Sequence, residues 1–211
     1  MPARLRPTAP IAADAILVGD PGRALMLAQV LLEQPKMSNH ARGLWGYGGE
    51  TADGKQLTIQ STGMGGPSAS VVLADLAELG VRRAIRIGTC ASLGDLELGQ
   101  LLVVSRALTP AGGSALPDPV LSEGLRRSLP EAHPGAVVSL DSLHDPERGR
   151  PSVLAEAADM QTAALLGSAA ELEVAAAALL IVTERSDSGQ LRDEELEETA
   201  KSAALAALAL L

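Results

Sequence analysis

The chain has 211 residues, enough for one domain with a sizeable buried core. Its 17 Lys and Arg against 26 Asp and Glu leave a net charge of −9, which repels the backbone of nucleic acids and argues against a DNA or RNA partner. A single cysteine, Cys90, excludes an intrachain disulfide and fits a reducing compartment.

In chain order, the first apolar run, residues 15–18, predicts a buried strand, followed by a helix from about residue 23 to residue 33. Residues 44–50 and 57–61 read as strands joined by a turn at Asp53-Gly54. Pro67 suits the first turn of a helix running to Leu79, with Gly80 as its cap. Residues 84–87 and 101–107 read as buried strands, 119–129 as a helix and 136–140 as a strand. Residues 160–171 read as helical, 174–183 as a long buried strand, and the last helix starts near Asp193, whose acidic start complements the helix dipole. Alternating strands and helices argue a single α/β domain over residues 1–211, with three α/β/α layers around a central mixed, largely parallel sheet. There is no Phe, and Trp45 and Tyr47 are the only aromatics, so the core must be built from Leu, Ala, Val and Ile. The longest apolar stretches, 175–182 and 203–211, are too short for a bilayer, which needs about 20 residues. No run near Arg4 and Arg6 is long enough for a signal peptide, so the expected location is the cytoplasm, with no membrane partner.

Three segments could carry chemistry. Gly19-Asp20-Pro21-Gly22-Arg23 follows a strand and opens a helix, which turns backbone N–H groups and the positive helix end toward one point. Arg23 adds a forked, permanent charge suited to phosphate or carboxylate; a plain strand-to-helix turn with a surface Arg is the alternative. In Arg86-Ile87-Gly88-Thr89-Cys90 an Arg sits inside an apolar strand, where it must meet an acid or an anion. Thr89 offers a hydroxyl at the carboxyl end of that strand, where ligands collect in open α/β sheets. Residues 63–68, Gly-Met-Gly-Gly-Pro-Ser, nearly match a dinucleotide fingerprint, but the next strand ends in Gly88-Thr89 where a ribose-binding acid would be needed. No cofactor and no metal are expected: Asp141, His144 and Asp145 lack a second cluster at ligand spacing. Cys90, as a lone buried Cys, reads as inert core.

Seven stretches in order resemble the nucleoside phosphorylase family, in its hexameric bacterial branch of purine nucleoside and uridine phosphorylases. They are ILVGDPGRA (16–24), ARGLWGYGG (41–49), STGMGGPSAS (61–70), RIGTC (86–90), SLDSLHDP (139–146), DMQTAALL (159–166) and TERSDSG (183–189). The resemblance implies that Gly19, Arg23, Arg86 and Thr89 bind a phosphate co-substrate. It implies that Arg42 reaches the same phosphate from a neighbouring subunit, so the active unit is a dimer, arranged as a trimer of dimers. Met160 and Gln161 would meet the ribose and Ser186 and Asp187 the base, with Asp187 as the catalytic acid that protonates a purine. The implied reaction is reversible phosphorolysis of a nucleoside to free base and ribose 1-phosphate.

The chain departs from the family in the nucleoside half. Gln161 stands where the family has a ribose-clamping Glu, Ala91 where it has Gly, and Leu143 and His144 where it has a base-stacking Phe and a Tyr. No counterpart of the N-terminal His lies near Thr8. Two alternatives follow: a paralogue that binds phosphate or a nucleotide without turnover, and a uridine phosphorylase or water-using nucleosidase of the same family.

Overall fold

The computed structural model describes residues 4–143, 154–185 and 189–211. The amino-terminal part runs β1 (Asp14–Val18), α1 (Pro21–Leu31), β2 (Lys36–Asn39), a 3-10 turn (Ala41–Gly43), β3 (Gly46–Glu50), β4 (Gln56–Ser61) and α2 (Gly66–Glu78). It continues with β5 (Arg83–Ser92), β6 (Leu101–Leu108), β7 (Ser114–Ala115), α3 (Pro119–Ser128) and β8 (His133–Ser139). The remainder is β9 (Ala157–Asp159), α4 (Thr162–Glu171), β10 (Ala175–Arg185), β11 (Gly189–Gln190) and α5 (Asp193–Leu208).

Helix starts follow local chemistry. Asp20 caps α1 by accepting from the Arg23 amide at 2.7 Å, with Pro21 in the first turn. Asp118 caps α3 in the same way, accepting from the Val120 and Leu121 amides ahead of Pro119. Asp193, Glu194 and Glu195 load the first turn of α5 with the sign its dipole favours.

β1 lies parallel between β4 and β5, and β5 runs parallel to β10. β2, β3 and β4 form an antiparallel flank. On the other side β10 pairs antiparallel with β6, β6 and β8 are parallel, and β8 and β9 are parallel. β9 then pairs antiparallel with the end of β5, so β5, β10, β6, β8 and β9 close into a ring. The sheet is mixed, as the alternation implies, but it is not open throughout. The reason is the length of β5. The expected strand over 84–87 continues to Ser92, outrunning β1, whose pairing stops at Ile87, and its far end is free to meet β10 and β9.

Side chains alternate between two apolar layers. Ala15, Leu17, Ala84, Cys90, Ala178 and Leu180 face α2 and α4. Ile16, Val18, Ile85, Ile87, Leu179 and Ile181 face α1, α3 and α5. Small residues permit close helix packing where large aromatics are missing: α5 buries Ala200, Ala203, Ala204 and Ala207. No helix of the described residues is long and apolar enough to cross a membrane.

Candidate anion-binding site

The alternation of β5 decides where Arg86 points. Two residues after Ala84 and four before Cys90, it must face the α2/α4 layer, and there the start of α4 meets it. Arg86 is 3% exposed. Its Nη2 donates to Asp159 Oδ2 at 3.0 Å, its Nη1 to Gln161 Oε1 at 2.9 Å and its Nε to Thr162 Oγ1 at 3.1 Å. These bonds leave two of its five N–H groups for another acceptor. Gly88 makes the arrangement possible. A Cβ there would lie 2.5 Å from Arg86 Nη2 and 2.6 Å from Cζ, so only glycine lets the guanidinium fold back across its own strand.

Asp159 is the buried counter-charge, 1% exposed. It also accepts from the Thr162 amide, from Thr162 Oγ1 at 2.5 Å and from Ser139 Oγ at 2.5 Å, and the Ser139 hydroxyl in turn accepts from the Ala163 amide at 2.8 Å. A carboxylate saturated in this way at a helix start holds Arg86 in place.

The second cation comes from α1. The Asp20 cap holds the Arg23 amide, and the Arg23 side chain, half-buried, lines the same pocket. Burial lowers the Arg23 pKa, the Asp20 carboxylate opposes that, and positive Arg86 lowers it further. Among the described residues the Arg23 guanidinium makes no hydrogen bond or ion pair, and the Thr89 hydroxyl likewise has no partner. A half-buried guanidinium without an acceptor, next to a second one, is a place for an anion.

The pocket has a volume of about 510 Å³. Gly19, Asp20 and Arg23 line it from the β1–α1 junction, Arg86, Gly88 and Thr89 from β5, and the 63–65 turn and Leu143, Met160 and Gln161 from the opposite side. Of the residues singled out in the sequence, Gly19, Arg23, Arg86, Thr89, Leu143, Met160 and Gln161 therefore converge. Two others lie outside the lining. Arg42 sits exposed on the 3-10 turn with φ 61° and ψ 19°, and Ala91 continues β5 and pairs with Ala158. Ser186, Asp187, His144 and Asp145 lie outside the described residues. The described residues contain no cluster of three or more His, Cys, Asp or Glu that could hold a metal ion.

Several participants are not evident from the sequence. Asp159, Thr162 and Ser139 complete the Arg86 network, and Thr62 approaches Gln161. The only sequence signal for Asp159 is that a buried Arg needs an acid; which acid depends on the crossover to α4. The glycine-rich 63–65 turn is a wall of the pocket: Gly63 and Gly65 have φ 72° and 80°, which orients their carbonyls toward Gln161. Burial pushes the Cys90 thiol well up, with Asp159 adding to the effect and Arg86 opposing it, so Cys90 is no nucleophile.

Residues 14–211 match the Phosphorylase superfamily, and the chain belongs to it. It is 32% identical over 208 residues to a DeoD-type purine nucleoside phosphorylase of Caldanaerobacter subterraneus, covering 88% of each chain. It is 30% identical over 210 residues to one of Alkaliphilus metalliredigens, covering 90% of each. Among solved structures, a purine nucleoside phosphorylase from Toxoplasma gondii in complex with immucillin-H superposes with a TM-score of 0.80 at 23% identity, over 95% of this chain and 89% of that one. A uridine phosphorylase from Vibrio fischeri superposes with a TM-score of 0.82 at 21% identity, over 95% and 92%. These two likenesses concern the fold, which is the mixed α/β architecture with flanking helices.

Proposed function

We propose that the chain is a nucleoside phosphorylase that splits a purine nucleoside with inorganic phosphate into free base and ribose 1-phosphate, reversibly, in nucleoside salvage. The observation that carries the reading is the unpartnered Arg23 guanidinium beside Arg86 in a pocket at the carboxyl end of β1 and the middle of β5. Phosphate would lie against the Gly19 backbone, Arg23, the two open N–H groups of Arg86 and the Thr89 hydroxyl. Sugar and base would lie along Leu143, Met160 and Gln161, with Ser186 and Asp187 meeting the base.

The chemistry follows from charge. Breaking the glycosidic bond builds positive charge on the sugar and negative charge on the base. A phosphate held beneath the sugar stabilises the cation and then bonds to C1′, while Asp187 as a protonated acid neutralises the departing base. The preset arginines hold the nucleophile in place with little reorganisation. Arg42, exposed and outside the lining of its own pocket, would complete the phosphate site of a neighbouring copy, in a dimer or a trimer of dimers. A reducing cytoplasm suits the single buried thiol.

A panel of purine and pyrimidine nucleosides incubated with and without phosphate tests the reading. Purine base appears, accompanied by ribose 1-phosphate, only when phosphate is present. No base from any nucleoside contradicts it, and base release indifferent to phosphate replaces it with a nucleosidase.

A further inference from the structure

We propose that Gln161 is a positioning residue of the anion site, a strut tying Arg86 to the 63–65 turn, rather than a ligand for the sugar hydroxyls. The inference concerns the pocket whose function is proposed above, but it stands on the hydrogen bonds of position 161 alone.

Gln161 is 3% exposed. Its Oε1 accepts from Arg86 Nη1 at 2.9 Å and lies 3.1 Å from the Thr62 hydroxyl, whose single proton is shared with the Val18 carbonyl. Its Nε2 donates to the Gly63 carbonyl at 2.7 Å and to the Gly65 carbonyl at 3.3 Å. The partners fix the orientation of the amide. A guanidinium only donates and a backbone carbonyl only accepts, so oxygen must face Arg86 and nitrogen must face the turn. Both amide protons are then consumed, and the oxygen is turned toward the cation. No amide proton is left for a diol, and the oxygen faces Arg86 and the Thr62 hydroxyl.

This arrangement explains why the residue is an amide. A carboxylate of the same shape would set a negative oxygen against two carbonyl oxygens, with no proton between them. A protonated carboxyl would restore the pattern: its hydroxyl donates to the Gly63 carbonyl and its other oxygen accepts from Arg86. The charged and titratable groups around the position are Arg86 and Cys90 from β5, Asp159 from β9, and Asp20 and Arg23 from the start of α1. The strut therefore couples the turn to the guanidinium. Losing it frees the turn and lets Arg86 settle onto Asp159.

The test is binding of inorganic sulfate, which keeps both charges from mildly acidic to mildly alkaline pH, measured by calorimetry on the folded protein and read as the ratio of variant to wild type at each pH. Q161E should weaken sulfate about tenfold or more at alkaline pH, the effect of an unsatisfied buried polar group, and recover toward the wild-type value as acidification protonates the new carboxyl. Q161M should weaken sulfate similarly with no recovery, and it carries the test if Q161E does not fold at alkaline pH. Wild-type sulfate affinity in both variants, or a Q161E deficit independent of pH, overturns the proposal. Neither readout needs nucleoside turnover, so absence of phosphorolysis in the wild type leaves this test intact.

Discussion

The two walls of the pocket are built by different means. The wall formed by Gly19, Arg23, Arg86 and Thr89 hangs on the end of β1 and the middle of the neighbouring parallel strand β5, and every charged group in it is set by strand alternation, a helix cap or a buried counter-ion. The facing wall consists of Leu143, Met160 and Gln161 with the 63–65 turn, and its one polar side chain is spent on internal hydrogen bonds. One wall presents unsatisfied donors and the other presents almost none. On the reading proposed above, anion capture would be a property of the scaffold, whereas recognition of a nucleoside along the facing wall would rest on shape and apolar contact.

Substitutions should separate the walls, beginning with the largest effect. Arg86→Ala removes half of a buried ion pair and leaves Asp159 uncompensated, a loss of about 3–5 kcal/mol. Thermal unfolding should fall by roughly 10 °C or more and anion binding should vanish with it. Arg23→Ala should behave differently. The guanidinium has no partner to abandon, so the melting temperature should stay level or rise slightly, while calorimetry should find phosphate weakened by about a hundredfold, the worth of one or two charge-assisted hydrogen bonds. A melting temperature that drops as far as in R86A would erase the distinction between a structural and a ligand-facing arginine.

Gly88→Ala comes next. Its Cβ would overlap Arg86 Nη2, so phosphate affinity should fall about tenfold as the guanidinium shifts, a smaller loss than from deleting a charge. Unchanged affinity would mean that the guanidinium does not need to cross its own strand. Leu143→Phe should have the smallest effect. An aromatic face added on the far wall is worth about 0.5–1.5 kcal/mol, so the nucleoside KM should drop a few-fold with phosphate affinity untouched. A change in phosphate binding instead would show that the walls are not independent.

Much of the first wall is legible in the sequence because it is local. Asp20 and Pro21 announce the helix that carries Arg23, and an Arg amid Ala84, Ile85 and Ile87 announces a buried charge that needs an acid or an anion. Arg86 in fact meets an acid and still faces the pocket, which residue types alone do not decide. The second wall is not local. Asp159 and Gln161 reach Arg86 only because β9 pairs with the far end of β5, and that pairing depends on β5 running on through Gly88 and Thr89, which read as a strand end because Gly and Thr punctuate apolar runs. The role of Gln161 is legible only from the two carbonyls it meets, across nearly a hundred residues of chain. The short strands β2 and β9 are missed for a simpler reason. Four and three residues carry too little periodicity to register.

The most direct measurement is a calorimetric titration of the wild-type protein and of R23A with inorganic phosphate at one ionic strength. A saturable site, one per chain, that nearly disappears in R23A without loss of fold is the predicted result. No binding to the wild type, or equal binding to both proteins, contradicts the assignment of the end of β1 and the adjoining middle of β5 as an anion site.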